Sequence, residues 1–353
     1  MALRPEQRLA LLGAKLRALV AEGWPEQGVS VARPFMGGAG LVSEDGHTGW
    51  VLVDDVQRRV ENIDIAADND GPELPRGWLG GAIVWATRAQ VSQLHVLSER
   101  FNGDDARRAE LFSLPTLIWL VRGRTLTRVA PVEYIPPEPP DAVSMLFAPA
   151  IEQAGADAVI DHGVLYAEVL GLEVATVTLG EGEVPYLAVG VGRHDRLAQA
   201  MMYGSADAAE SLRTAVAAVK NFRRGDAGIH PANQLAPERW LRHIVAASDP
   251  ALEPVEGTEP PRLKRSSPSL LVASDFSRVV GCTTAVDLDA IAFAADARAH
   301  FAPDARLEIV MPASSRVPAM ELLSAALKQP ASIRTVSDDW RNSDTTAIAG
   351  GGC

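Results

Sequence analysis

Leu9, Leu12, Leu16 and Leu19 recur at three- and four-residue spacing in EQRLALLGAKLRALVAE, with Lys15 and Arg17 among the residues between them. That period predicts an amphipathic helix over residues 6–22, stopped at Gly23. The rhythm then changes. Two short apolar runs, Gly40–Val42 and Gly49–Asp54, flank the turn-rich Ser43-Glu44-Asp45-Gly46 and predict two strands. Trp78–Ala89 is apolar up to Thr87 and Arg88 near its end and predicts a buried helix. Gln93–Leu97 follows as a strand, Asp104–Phe112 as a short helix, and Thr116–Val121 with Thr125–Val129 as a hairpin around Arg122-Gly123-Arg124.

In the middle of the chain, Val143–Gly155 predicts a helix. Extended segments follow at Ala158–Ile160, Val164–Leu179 with an interruption at Gly171, and Tyr186–Val191. Helices are expected at 196–202, 206–222 and 237–247, the last with Trp240 in the core. The final segment alternates strand Arg278–Thr283, helix Asp287–Phe301, strand Arg306–Met311, helix Pro318–Lys328 and strand Ser332–Val336. The same order runs from Trp50 to Val121. The rhythm of GAIVWATRAQVSQLHVLSE also matches that of AIAFAADARAHFAPDARLEIVMP, so a weak internal duplication of the N- and C-terminal units is an expectation.

Prolines crowd residues 136–142 and 249–268, which predicts stiff linkers there. The expected fold is therefore α/β and multi-domain, with mixed sheets flanked by helices. Its parts would be an α/β unit over 1–135, a helix with a three-stranded antiparallel sheet and following helices over 143–248, and a βαβαβ unit over 269–340.

Composition narrows the function. The 353 residues carry a formal charge of −12, and 47% are hydrophobic, enough for a sizeable core. No third of the chain is basic, which argues against a large nucleic-acid footprint. Uncharged apolar runs fall short of a membrane span, and the charged N-terminus does not read as a signal peptide. Two cysteines, Cys282 and Cys353, make neither a disulfide framework nor a zinc site. A soluble, cytoplasmic protein is expected. Its four lysines (Lys15, Lys220, Lys264, Lys328) leave little room for lysine-dependent chemistry.

Candidate chemistry concentrates in the middle segment. Asp161 and His162 end a short strand, and Glu168 and Glu173 lie on the next extended stretch. Their odd separation puts the two glutamates on opposite faces of an unbroken strand, and a bulge at Gly171 would restore a common face. Alternating acids on a solvent-facing sheet edge are the ordinary alternative. Helix–strand–strand–strand–helix with acids on the middle strands resembles the core of the PD-(D/E)xK restriction-endonuclease-like nucleases. The resemblance implies carboxylates holding Mg2+ or Mn2+ and a lysine that orients the attacking water. Here Ala175 and Leu170 stand where the lysine belongs, and no lysine occurs between Lys15 and Lys220.

Gly190-Val191-Gly192-Arg193-His194-Asp195 joins a strand to a helix, a setting in which backbone N–H groups can meet an anion. Gly190, Gly192, Arg193 and His194 are the anion-binding candidates, with Asp195 as the competing helix cap. His194 joins Asp161, Glu168 and Glu173 as a catalytic candidate. His230 and Asn233 lie in a loop. Phe35–Gly40 is glycine-rich without the Lys-Ser/Thr of a P-loop, and Cys282 reads as a small core residue. No complete cofactor or metal motif is present. The sequence therefore points to a non-catalytic interaction or ligand-binding protein, with a protein or a second copy as partner. The alternative is a metal-dependent nuclease-like hydrolase.

Overall fold

The computed structural model of the protein describes residues 4–35, 37–54, 74–192, 195–198, 208–224, 230–258 and 268–342. It is a mixed α/β protein whose described residues form three sheets flanked by helices. Among those residues no helix is long and apolar enough to cross a membrane. The chain divides into two compact units. Unit 1 takes in Met1–Tyr134, Val286–Asp296 and Val317–Ala331; unit 2 takes in Ile135–Ala285, Ala297–Arg316 and Ser332–Cys353.

Unit 1 begins with α1 (Pro5–Gly23), followed by β1 (Arg33–Phe35), β2 (Gly38–Val42), β3 (Thr48–Val53), α2 (Trp78–Ala89), β4 (Gln93–Ser98), α3 (Gly103–Ala109), β5 (Thr116–Arg122) and β6 (Thr125–Arg128). The six strands form one sheet in chain order, with β3, β4 and β5 parallel and the outer pairs antiparallel. Alternation along β2 and β3 sorts the two faces. Leu41, Trp50 and Leu52 meet Leu16, Leu19 and Val20 of α1. Gly40 and Gly49 open the opposite face to Trp85 of α2. Gly38 and Gly40 thus serve close packing: a side chain on Gly38 would collide with the Leu52 carbonyl.

Two buried polar arrangements mark unit 1. On the helix Asp289–Phe301, Asp296 is 2% exposed and accepts two bonds from Arg107 (2.9 and 3.0 Å) and one from Arg108 (3.1 Å). Under α1, His95 sits among Trp24, Trp50 and Trp119, with ring centroids 4.7 to 5.9 Å away. The Trp119 indole N–H donates to His95 Nδ1 at 2.9 Å. Burial, with a smaller push from Arg128, holds the His95 imidazole down at about 4.

Unit 2 contains α4 (Ala142–Met145), α5 (Ala148–Gln153), β7 (Asp157–Asp161), β8 (Val164–Val169), β9 (Leu172–Leu179), β10 (Pro185–Val189), α6 (Ala208–Phe222) and α7 (Pro237–Ser248). Then come β11 (Leu252–Val255), β12 (Ser269–Ala273), β13 (Arg278–Cys282), β14 (Arg306–Pro312) and β15 (Ala331–Val336). The predicted helix 143–155 is two short helices, with Pro149 in the first turn of the second. The predicted three-stranded sheet has four strands, β10-β9-β8-β7, all antiparallel, because the Gly171 interruption is a reversal of the chain. The second sheet runs β11-β12-β13-β14-β15. Its edge strand β11 lies inside the proline-rich stretch 249–268, and an edge is where Pro254 can be accommodated. Both this sheet and that of unit 1 open with two antiparallel pairings followed by a parallel one.

One face of the four-stranded sheet is apolar. Leu165, Ala167, Val169, Ala175, Val177 and Leu187 pack there with Leu212, Val216 and Val219 of α6. The other face meets α7, whose opposite side sets Trp240, Leu241, Ile244 and Val245 against Leu271, Val280 and Val310 of the second sheet. A helix with an apolar stripe on one side and Arg239, Arg242 and His243 on the other is what this position requires.

Candidate functional site

The polar face of the four-stranded sheet brings together most of the acidic candidates. β7 and β8 are joined by His162-Gly163, and β8 and β9 by Leu170-Gly171; all four turn residues have positive φ (49°, 74°, 49° and 73°). These are two-residue turns of the kind whose twist suits a hairpin. The second turn makes Glu168 and Glu173 direct cross-strand partners, with a register shift between Ala167 and Glu168. The expectation of one strand bulged at Gly171 is thereby corrected: the residues share a face because they lie on adjacent strands. The expectation of a solvent-facing edge is corrected too, since Glu168 is 1% exposed.

Like charges directly opposite each other in a sheet repel. Arginines offset this. Glu168 Oε1 accepts from Arg239 Nη1 at 2.7 Å, and Oε2 accepts from Arg242 Nη2. Arg239 Nη2 also donates to Asp161 Oδ2 at 3.1 Å, while Arg196 donates to Glu173. Burial works to lower the Arg239 pKa, but Glu168, Asp161 and Glu173 outweigh it and hold the guanidinium above its usual value. Burial raises the Glu173 carboxyl despite Arg196, with Glu168 adding to the rise. Burial also pushes the Tyr166 hydroxyl, on the same face, up to about 12, helped by Glu173 and Asp161.

Arg223 is 1% exposed and fastens this assembly from behind. It donates to the carbonyls of Leu170 (2.9 Å), Leu235 (2.8 Å) and Ala236 (3.0 Å), and its guanidinium lies 4.7 Å over the Trp240 ring. Burial pulls its pKa down to about 9. The turn must also be bare at Gly171, because a Cβ there would run into the Arg239 carbonyl and lie 2.7 Å from the Trp240 nitrogen. Gly171→Ala combines a positive φ with this collision and is expected to cost about 2–4 kcal/mol, read as a lower urea midpoint at unchanged m. A midpoint equal to wild type would show that α7 does not press on the turn.

The turn at Gly190 borders this cluster, since Arg196 beyond it donates to Glu173. Gly190 has φ 139° and donates its N–H to the Val174 carbonyl at 2.8 Å. The Val191 N–H donates to Asp195 Oδ2 at 2.7 Å. Two amides of the proposed anion turn are thus in use, one by a carboxylate of the chain itself. Residues 195–198 are helical, so Asp195 lies within the helix instead of at its cap. Gly192 has φ 76°. Arg193 and His194 lie outside the described residues. His230 stacks on Phe222, with centroids 3.9 Å apart. Cys282 is fully buried, and burial pushes its thiol up to about 12, away from nucleophilic use.

Sequence reasoning missed Arg239, Arg242 and Glu256. The first two had a signal: in PERWLRHIVAAS the cationic residues fall at i, i+3 and i+4, opposite the apolar ones. Glu256 had none, because only the fold carries it to the β7–β8 turn, where its Oε2 accepts from the His162 N–H at 2.7 Å. No family model, curated protein or solved structure matches this chain.

Proposed function

We propose that the protein is a non-catalytic interaction or ligand-binding protein, acting in the cytoplasm on a protein partner or a second copy of itself. The observation that carries this reading is the buried engagement of both Glu168 oxygens by arginines. A hydrolytic metal needs oxygen lone pairs directed at it. At Glu168 they are directed at Arg239 and Arg242, and Ala175 and Leu170 supply no cation in place of a catalytic lysine.

The second reading is a metal-dependent nuclease-like hydrolase using Mg2+ or Mn2+. It is favoured by one observation: Asp161, Glu168 and Glu173 all bear on the single guanidinium of Arg239. Incubation of the full chain with single- and double-stranded DNA and RNA in Mg2+ or Mn2+ separates the two. No cleavage above buffer is expected. Cleavage that disappears in Glu173→Ala would overturn the non-catalytic reading.

A further inference from the structure

We propose that Asp161, His162 and Glu256 form a binding site for a transition-metal dication of the Zn2+ or Mn2+ kind. This does not depend on whether the protein turns over a substrate. Each of the three side chains offers one ligand atom, and those atoms lie within 4.8 Å of one another. The set comes from two places in the chain: the β7–β8 turn and the residue following β11.

Three observations point to a cation here. The first is His162 itself. A two-residue turn with positive φ at both positions is ordinarily met by Asn-Gly or Asp-Gly, whereas a histidine holds the first place here, at φ 49°. Its Nδ1 lies 2.5 Å from Asp161 Oδ1, while its Nε2 is buried with no hydrogen-bond partner among the described residues. Buried polar nitrogens are normally satisfied, so an unsatisfied one calls for an explanation.

The second is charge. Asp161, Glu168 and Glu256 are three carboxylates, and Arg239 and Arg242 are the guanidiniums bonded to them. Glu256 is bonded only to a backbone N–H among the described residues. Among the described residues no guanidinium or ammonium group pairs with Glu256.

The third is orientation. Arg239 holds Asp161 Oδ2 and so leaves Oδ1 turned toward His162. Hydrogen bonds to the far side of a ligating carboxylate fix its direction and sharpen metal affinity. One imidazole with two carboxylates suits Zn2+, Mn2+ or Co2+, whereas Mg2+ prefers an all-oxygen shell with several waters.

The experiment is calorimetric titration of the EDTA-treated full chain with Zn2+, with Co2+ absorption as a second readout. One saturable ion per chain is expected, with Mg2+ giving no comparable heat. His162→Asn keeps a residue suited to the turn, and Glu256→Gln keeps an acceptor for the His162 N–H. Each is expected to weaken Zn2+ binding at least ~10-fold while preserving the far-UV spectrum. Glu173→Gln should bind as wild type. Absence of saturable binding in wild type would overturn the site, as would wild-type affinity in both His162→Asn and Glu256→Gln. Loss of binding only in Glu173→Gln would overturn it in favour of the nuclease-type placement.

Discussion

Replacing Glu168 by alanine is expected to destabilise the protein by about 3–5 kcal/mol, the cost of stripping one partner from a buried ion-pair cluster. What is left behind sets the cost. Arg239 would keep Asp161, but Arg242, whose side chain is only 6% exposed, would lose its carboxylate. Its Nε is already buried without a hydrogen-bond partner among the described residues. Glu168→Gln keeps one acceptor and should lose about 1.5–3 kcal/mol. Replacing Glu168 and Arg242 together by leucine removes both charges and should recover much of the loss. Urea unfolding of the three variants tests the scheme. A Glu168→Ala midpoint close to wild type would mean that water reaches the arginines and that the cluster contributes little.

A second large effect should appear in the acid limb of stability. His95 ordinarily titrates near 6.5, but burial in the tryptophan cluster lowers it to about 4 in the folded protein. Trp119 can only donate, so its bond to His95 Nδ1 requires that nitrogen to keep its lone pair. Between those two pH values the unfolded chain takes up a proton that the folded chain refuses. Stability from this group is therefore complete above pH 6.5 and drains away as the pH falls toward 4, by about 3 kcal/mol at most. His95→Gln retains an acceptor for Trp119 and has nothing to protonate. The wild-type loss between pH 7.5 and 4.5 should exceed that of His95→Gln by most of this amount. Equal losses would show that His95 reaches solvent and titrates normally.

Elements with a strong period of their own were legible in the sequence. Trp78–Ala89 is found at its predicted bounds, and α1 and α7 within a residue or so, because a helix face is written in consecutive residues. The hairpin at Thr116–Arg128 was equally plain. β1, β11 and β12 were not, being three to five residues long or seeded with proline. The candidate site was half legible. Acidic residues at 161, 168 and 173 signalled a polar sheet face, but strand reversal at Leu170-Gly171 decides whether two of them meet, and one residue of register decides which way each points. Glu256 reaches His162 across 94 positions, a pairing no local pattern encodes.

The division of the chain into units has a consequence for synthesis. Unit 1 is drawn from residues 1–134 and from two later stretches, 286–296 and 317–331. As the chain emerges in order, its first 134 residues appear with Arg107 and Arg108 still lacking Asp296, and with Phe112 lacking the Leu327 bridge it makes in the finished fold. All of residues 135–285 must be made before the missing pieces arrive. Contacts that close over such a span form late and leave apolar surface open in the meantime. A ribosome stalled before residue 331 would therefore carry an N-terminal portion able to pair its strands but unable to seal its core, a nascent form suited to chaperone capture.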